Sequence, residues 1–126
     1  MVIIRMAVIL TLMLAAMPVL AQAFLPDETR FFTVLSDVPV MPGMNEVPGR
    51  DMDFDKPEGR IAESTAIAQK PDIDGAQVRD FYDRSLPQLG WVKTGPGLFI
   101  RQAEQMSVQT SVEQARTRVR LTVSPR

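Results

Sequence analysis

The sequence predicts an α+β protein in which one helix packs on a mostly antiparallel sheet of four or five strands, as a two-layer sandwich. Three observations lead to this fold. Residues 71–90 have the apolar spacing of an amphipathic helix. Segments on both sides of that helix alternate apolar and polar residues, as half-buried strands do. One apolar stripe on a helix and one apolar face on a sheet are buried together when the two elements stack as layers.

Residues 1–23 show the three parts of a secretory signal peptide. Arg5 supplies the positive charge, an apolar run follows it, and the small residues Ala21 and Ala23 flank Gln22 at the expected cleavage site. We therefore expect cleavage after Ala23, a periplasmic or secreted location and no stable membrane anchor after cleavage. The alternative is an uncleaved inner-membrane anchor, because residues 6–25 are about as long as a helix that spans a bilayer.

Residues 24–59 are predicted to form an extended, Pro-rich acidic arm that precedes the compact domain. The arm holds five of the ten prolines, and Pro and Gly recur too often for a helix or a central strand. One or two short strands are expected within it. The apolar run at 31–35 is one candidate, and residues 50–56 are the other, with Met52 and Phe54 pointing inwards and the alternating aspartates outwards.

Residues 60–126 are predicted to be the compact α+β domain. A strand is expected at 60–69, where β-branched residues precede a proline. After the helix, residues 91–93 and 98–102 surround a Thr-Gly-Pro-Gly turn and predict a hairpin. Residues 106–113 and 118–123 alternate in polarity and predict two further strands of an antiparallel meander.

The helix within this domain has sequence signals at both ends. Asp74 is the expected N-cap and Gln77 the third helical residue of a capping box. Pro87 limits the helix and Gly90 suits the left-handed residue that follows it. The apolar stripe between these ends consists of Val78, Phe81, Tyr82, Leu86 and Leu89.

The helix end also carries the residues of a resemblance. Phe81-Tyr82 is followed by the run Leu86-Pro87-Gln88-Leu89-Gly90-Trp91, then by Phe99-Ile100-Arg101 and a closing basic strand, and residues 37–44 form a proline-rich lead-in. This combination resembles small exported bacterial proteins of uncharacterised function, in which F-Y…L-P-x-L-G-W ends the helix and opens the meander. The resemblance implies the strand–helix–meander fold and carries no catalytic residues. Domains of this kind also occur in envelope-assembly accessory lipoproteins, which is an analogy of fold alone.

The composition excludes several kinds of chemistry. The 126 residues include no His and no Cys, so the chain cannot form a disulfide, a zinc site built on His or Cys, or a nucleophile paired with His. The balance of 14 Lys+Arg against 15 Asp+Glu argues against a nucleic-acid partner. We therefore expect a protein without enzymatic activity and without a cofactor, and an envelope hydrolase is a remote alternative.

Methionines suggest one weak candidate for a metal site. Met41 and Met44 lie three residues apart and Met52 follows nearby. Thioether sulfur is a soft ligand that selects Cu(I), which an exported protein can meet. The competing interpretation is that these flexible side chains fill apolar surface, as methionines commonly do.

Two sets of residues are candidates for contact with a partner. The first is the apolar part of the arm: Val40, Met41, Pro42 and Met44. The second is a row at every other position of the last strand: Arg116, Arg118 and Arg120. Because alternate residues of a strand project from one face, the arginines suit an anionic headgroup, a polysaccharide or an acidic partner, or else a solvated face with ion pairs to acids such as Glu113.

The sequence thus predicts an exported, non-enzymatic binding or interaction domain, accessory to a protein complex of the cell envelope. The alternative is a carrier of a small ligand or of Cu(I).

Overall fold

The computed structural model of the protein describes residues 29–126, and within this range it contains one helix and seven strands. The predicted signal peptide, with its cleavage residues Ala21 and Ala23, lies outside the described residues. The elements are β1 (Met44–Glu46), β2 (Met52–Lys56), β3 (Gly59–Ala68), α1 (Gly75–Gln88), β4 (Val92–Gly95), β5 (Leu98–Arg101), β6 (Glu104–Glu113) and β7 (Arg116–Pro125).

All seven strands belong to one antiparallel sheet with the order β1-β3-β7-β6-β5-β4, and β2 also pairs with β3. Strands β1 and β2 lie end to end along the outer edge of β3, opposite residues 66–68 and 59–63 respectively. The predicted α+β class, with one helix on an antiparallel sheet, is confirmed. The expected four or five strands were too few, because the sheet extends beyond β3 through β1 and β2.

The helix begins and ends where its sequence signals indicate. The Asp74 carboxylate accepts a hydrogen bond from the Gln77 backbone N–H at 2.8 Å, and the Gln77 side chain accepts one from the Asp74 N–H at 2.9 Å. This is the predicted capping box. At the other end, Gly90 has φ +89° and the Trp91 N–H donates to the Leu86 carbonyl, which is the geometry of a Schellman motif.

The sheet has two unlike faces. The inner face packs against α1, whose buried residues are Val78, Tyr82 and Leu86. Alternate residues of the long strands point into this core: Ala62 and Ala66 from β3, Met106 and Val108 from β6, and Val119, Leu121 and Val123 from β7. The alternation that predicted β6 and β7 as half-buried strands therefore corresponds to this inner face.

The N-terminal part of the expected arm is packed into the same core. Within residues 29–43, which we call the packed segment, Phe32, Leu35 and Val38 are fully buried. A helix is about 10 Å wide, whereas six strands abreast span roughly 24 Å, so α1 alone cannot cover the inner face. The packed segment buries apolar surface that α1 leaves uncovered. Its prolines predicted an extended arm, whereas most of its apolar side chains belong to the core.

Polar contacts fix the packed segment to the helix and the sheet. The Tyr82 hydroxyl donates a hydrogen bond to the Pro39 carbonyl at 2.8 Å. The Arg101 guanidinium lies 4.3 Å from the centre of the Trp91 ring and forms an ion pair with Asp37 at 2.8 Å. Because the contacts of Tyr82 with Pro39 and of Arg101 with Asp37 join residues more than 40 positions apart, the packed segment and the compact domain form one folding unit.

Candidate functional site

The second face of the sheet, which we call the open face, is covered neither by α1 nor by the packed segment. Its side chains are those that alternate with the core residues along each long strand. They are Ile61, Glu63, Thr65 and Ile67 from β3, Gln105, Ser107, Gln109, Ser111 and Glu113 from β6, and Arg116, Arg118, Arg120, Thr122 and Ser124 from β7. This face is the largest surface on which the sheet presents side chains to the outside.

Exposed apolar side chains stand at both margins of the open face. Met52 and Phe54 lie on β2 at one margin, opposite Glu63 and Ile61 of β3. Val92 and Leu98 lie on β4 and β5 at the other margin. Between 37 and 61% of each of Met52, Phe54, Val92 and Leu98 is exposed. The face therefore has apolar margins and a polar middle, so a partner that buries the apolar side chains of both margins must span the face.

The expected orientation of Met52 and Phe54 was wrong. Both were predicted to point inwards, yet both are exposed on the open face. The reason is the register of β2 against β3, which places Met52 opposite Glu63 and aligns the aspartates of β2 with inner-face residues instead. A shift of one residue would have exchanged the two sets of side chains.

A shallow depression of about 270 Å³ lies near the β5 margin of the open face. Its walls include Leu98, Ile100, Gln105, Ser107 and Thr122. Hydroxyl and amide groups stand here beside two apolar side chains, so the depression can accept a single protruding side chain of a partner.

Residues 47–51, which join β1 to β2 and which we call the strap, run along the outer edge of β3 at the opposite end of the open face. The Val47 N–H donates to the Thr65 carbonyl at 2.8 Å. The Arg50 guanidinium makes two hydrogen bonds of 2.9 Å to the Glu113 carboxylate, which belongs to the open face of β6. Thr65 is only 3% exposed although it points to the open face, and its carbonyl is the group that accepts from the strap.

The predicted arginine row lies on this same end of the open face. Arg118 donates to Glu113 at 3.0 Å and to the Ser111 hydroxyl at 3.1 Å. Arg120 donates to the Gln109 side chain at 2.9 Å, and Arg116 is exposed opposite Glu113. The structure therefore brings the three arginines together on one face, with Arg118 held by the carboxylate.

Glu113 is the electrostatic centre of this end of the face. Hydrogen bonding from Arg50, together with the positive charges of Arg50 and Arg118, lowers the pKa of the Glu113 carboxyl below its ordinary value. The same contact raises the pKa of Arg50. Both groups stay charged at neutral pH, so a bidentate, charge-assisted pair of hydrogen bonds holds the strap to β6.

The apolar residues proposed as partner contacts in the arm lie elsewhere. Met44 is fully buried and Val40 nearly so, and both belong to the core. Met41 packs against the core and only Pro42 is exposed. Val40 and Met44 therefore contribute to stability and are not available to a partner in the folded chain.

The three methionines considered for Cu(I) do not meet at one point. Met44 pairs with Ala68 and is fully buried, whereas Met52 pairs with Glu63 and is exposed on the open face. The two pairing positions on β3, Ala68 and Glu63, are five positions apart, which is about 17 Å along the strand. Met44 serves as core, which is the competing interpretation given above. Within residues 29–126, no group of three or more His, Cys, Asp or Glu side chains is arranged to hold a metal ion.

A second cavity, of about 350 Å³, lies between the packed segment and the helix. Its walls include Arg30, Val40, Pro42, Gln69 and Phe81. Two of its polar side chains already have partners, because Arg30 donates to the Met44 carbonyl and to Asn45, and Gln69 donates to Asn45. The open face, where the polar groups are more numerous and the apolar side chains are exposed, is the stronger candidate.

Comparisons with known proteins do not assign the chain to a family. No family model, curated protein or solved structure matches it. The open face must therefore be interpreted from its own residues. The only helix in the described part of the chain is α1, and it is neither long nor apolar enough to cross a membrane.

Sequence reasoning identified the arginine row but missed the other residues of this face. Phe54 was placed on the wrong face of its strand, Leu98 was placed on a strand without a face, and no contact between Arg50 and Glu113 was predicted. The alternation of a strand that places Phe99 in the core also places its neighbour Leu98 on the other face, so the exposure of Leu98 could have been predicted from the sequence. The link between Arg50 and Glu113 joins residues 63 positions apart and has no local signal.

Proposed function

We propose that this protein is an exported, non-enzymatic interaction domain, and that it docks onto a partner protein of the cell envelope through the open face. The proposal of export rests on the charged, apolar and small-residue parts of the first 23 residues. The proposal of a binding role without catalysis rests on a sequence with no His or Cys. It also extends the resemblance of the chain to small exported bacterial proteins, which brings no catalytic residues with it.

One observation carries the choice of surface. The exposed apolar residues Phe54 and Leu98 stand at opposite margins of one sheet face, with polar side chains between them. A partner that spans the face buries both margins and meets hydrogen-bonding groups in the middle. Burying one large apolar side chain contributes about 1.5–3 kcal/mol, so the two margins supply a useful part of a binding energy.

In-cell photo-crosslinking tests this proposal and offers a matched control. Phe54 and Phe31 are 56 and 52% exposed, but Phe31 belongs to the packed segment on the inner side of the sheet. A photoreactive amino acid is placed at position 54, 98 or 31 of the full chain, and the crosslinked proteins are identified by mass spectrometry.

We expect one envelope protein to be crosslinked from positions 54 and 98 and not from position 31. Crosslinks from position 31 alone would place the interface on the other side of the molecule and contradict the proposal. Absence of the protein from the exported fraction would contradict the assignment of export.

A further inference from the structure

The strap end of the open face concentrates positive charge around one carboxylate. Arg50 and Arg118 both contact Glu113, at 2.9 and 3.0 Å, and the pairing of β6 with β7 places Arg116 directly opposite it. Arg120 follows on the same face of β7. Four guanidinium groups therefore share this end of the face with Glu113, and two of them contact it.

Two of these guanidinium groups have no ionic partner within residues 29–126. Arg116 and Arg120 are exposed and form no ion pair there, and the neighbouring Glu63 accepts a hydrogen bond from Thr122 at 3.4 Å instead. The chain as a whole is almost neutral, with 14 Lys+Arg and 15 Asp+Glu. The charge at the strap end is thus a local excess, and it is complementary to an anionic partner.

The spacing of the row favours an extended peptide as that partner. Alternate residues of a strand lie about 7 Å apart, so the row from Arg116 to Arg120 extends over roughly 14 Å. Acidic side chains at alternate positions of an extended peptide have the same spacing. A free phosphate ion is too small to contact the whole row.

The position of the strap favours an extended peptide over a membrane surface as the anionic partner. The Arg50 side chain reaches from the strap, at the outer edge of β3, to Glu113 on β6, and because β7 lies between these two strands it crosses the arginine row and occupies part of the face. A bilayer contacts a wide, continuous surface, whereas an extended peptide needs only the row itself, in which Arg116 and Arg120 are exposed on either side of Arg118.

We propose that the partner protein presents an extended acidic segment that lies along β7, with carboxylates at alternate positions that bind Arg116, Arg118 and Arg120. This inference rests on the proposed function and specifies the chemistry of the partner at the same face. Glu113 is a positioning residue, because it orients the Arg50 and Arg118 guanidinium groups without contacting the partner.

Two synthetic peptides of equal charge and composition test the geometry. One has the sequence Thr-Glu-Thr-Glu-Thr-Glu-Thr, which places all its carboxylates on one face when extended, and the other is Thr-Thr-Glu-Glu-Glu-Thr-Thr. Both are blocked at their ends and titrated into the full protein, with binding followed by two-dimensional NMR at low salt. Anionic phospholipid vesicles and inorganic phosphate serve as the competing probes.

We expect the alternating peptide to bind roughly threefold more tightly than the clustered one, with shifts centred on β7, and to lose affinity as salt is added. The double variant Arg116→Gln/Arg120→Gln is expected to lose roughly tenfold in affinity. Arg79→Gln/Arg84→Gln, which removes the same charge from the exposed surface of α1, is expected to bind as the wild type does.

Equal affinity for the two peptides would overturn the inference, and so would equal losses in the two double variants. Binding to vesicles or phosphate that depends on Arg116 and Arg120, without peptide binding, would also overturn it. These outcomes leave the crosslinks from positions 54 and 98 unaffected, so failure of the inference is distinguishable from failure of the proposed function. Unfolding curves of both double variants establish that each remains folded.

Discussion

Replacing Leu35 by alanine tests whether the packed segment is part of the folding unit. Leu35 belongs to the region that its prolines mark as an arm, yet it is fully buried in the core. Its truncation removes apolar contacts and leaves a cavity, which costs about 2–5 kcal/mol in a core. The total stability of a domain of this size is about 5–15 kcal/mol, so the loss is a large part of it.

The assay is urea unfolding of the purified protein, followed by Trp91 fluorescence and circular dichroism. A loss of about 3 kcal/mol lowers the urea midpoint by roughly 1–3 M, and it lowers Tm by about 12–24 °C. The denaturant dependence of the free energy is expected to stay the same, because the surface exposed on unfolding hardly changes.

Phe31→Ala is the matched control in the same segment. Phe31 is half exposed, and its truncation is expected to cost less than about 1 kcal/mol. If Leu35→Ala also costs less than about 1 kcal/mol, the segment does not pack on the core, which would contradict its assignment to the folding unit.

Three further predictions address single contacts. Tyr82→Phe removes the hydroxyl that donates to a backbone carbonyl of the packed segment, and urea unfolding should show a loss of about 1 kcal/mol; an unchanged midpoint would refute that contact. Because Arg50 holds the pKa of Glu113 below its ordinary value, the ion pair stabilises the fold above about pH 4.3 and loses its effect as the pH falls through the lowered pKa. A carboxyl NMR titration should find that Arg50→Gln raises the pKa of Glu113, and an unmoved pKa would contradict the assignment. Gly97→Ala should cost about 1–3 kcal/mol, since Gly97 has φ +66° and an added Cβ would lie 2.6 Å from a backbone oxygen of β6. Gly49→Ala, at φ +80° in open space, should cost less by thermal unfolding, and equal losses would exclude the clash as the cause.

The helix was predictable in detail because its signals are local. The capping box of Asp74 and Gln77 and the glycine at position 90 each act within a few residues of the chain. The strands that follow it were predictable for a similar reason, since alternation of polarity is visible in β6 and β7 without knowledge of their partners.

The packed segment was not predictable from local pattern. Its prolines exclude a helix and a central strand, and an extended arm is the usual reading of such a run. Its burial depends on how much of the inner face α1 can cover, which is a property of the assembled sheet. Its apolar residues, among them the buried Phe32, Leu35 and Val38, are a local indication of packing, because a solvated arm does not require apolar side chains.

The candidate site was predictable only in part. The arginine row follows from period-two spacing on β7, and the structure places its members on one face as expected. The side to which Phe54 points depends on its register with Ile61, and a register cannot be read from one strand alone. The contact between Arg50 and Glu113 depends in addition on the path of the strap.

The affinity of the purified crosslinked partner for two phenylalanine variants tests the central claim, that the open face is the interaction surface. The variants are Phe54→Ser and Phe31→Ser, which change the same side chain at nearly the same exposure on opposite sides of the sheet. Calorimetry should show a Kd at least tenfold higher for Phe54→Ser, because this change loses about 1.5 kcal/mol or more of apolar burial. The Kd of Phe31→Ser should be unchanged. An unchanged Kd for Phe54→Ser, or an equal loss in the two variants, would contradict the claim.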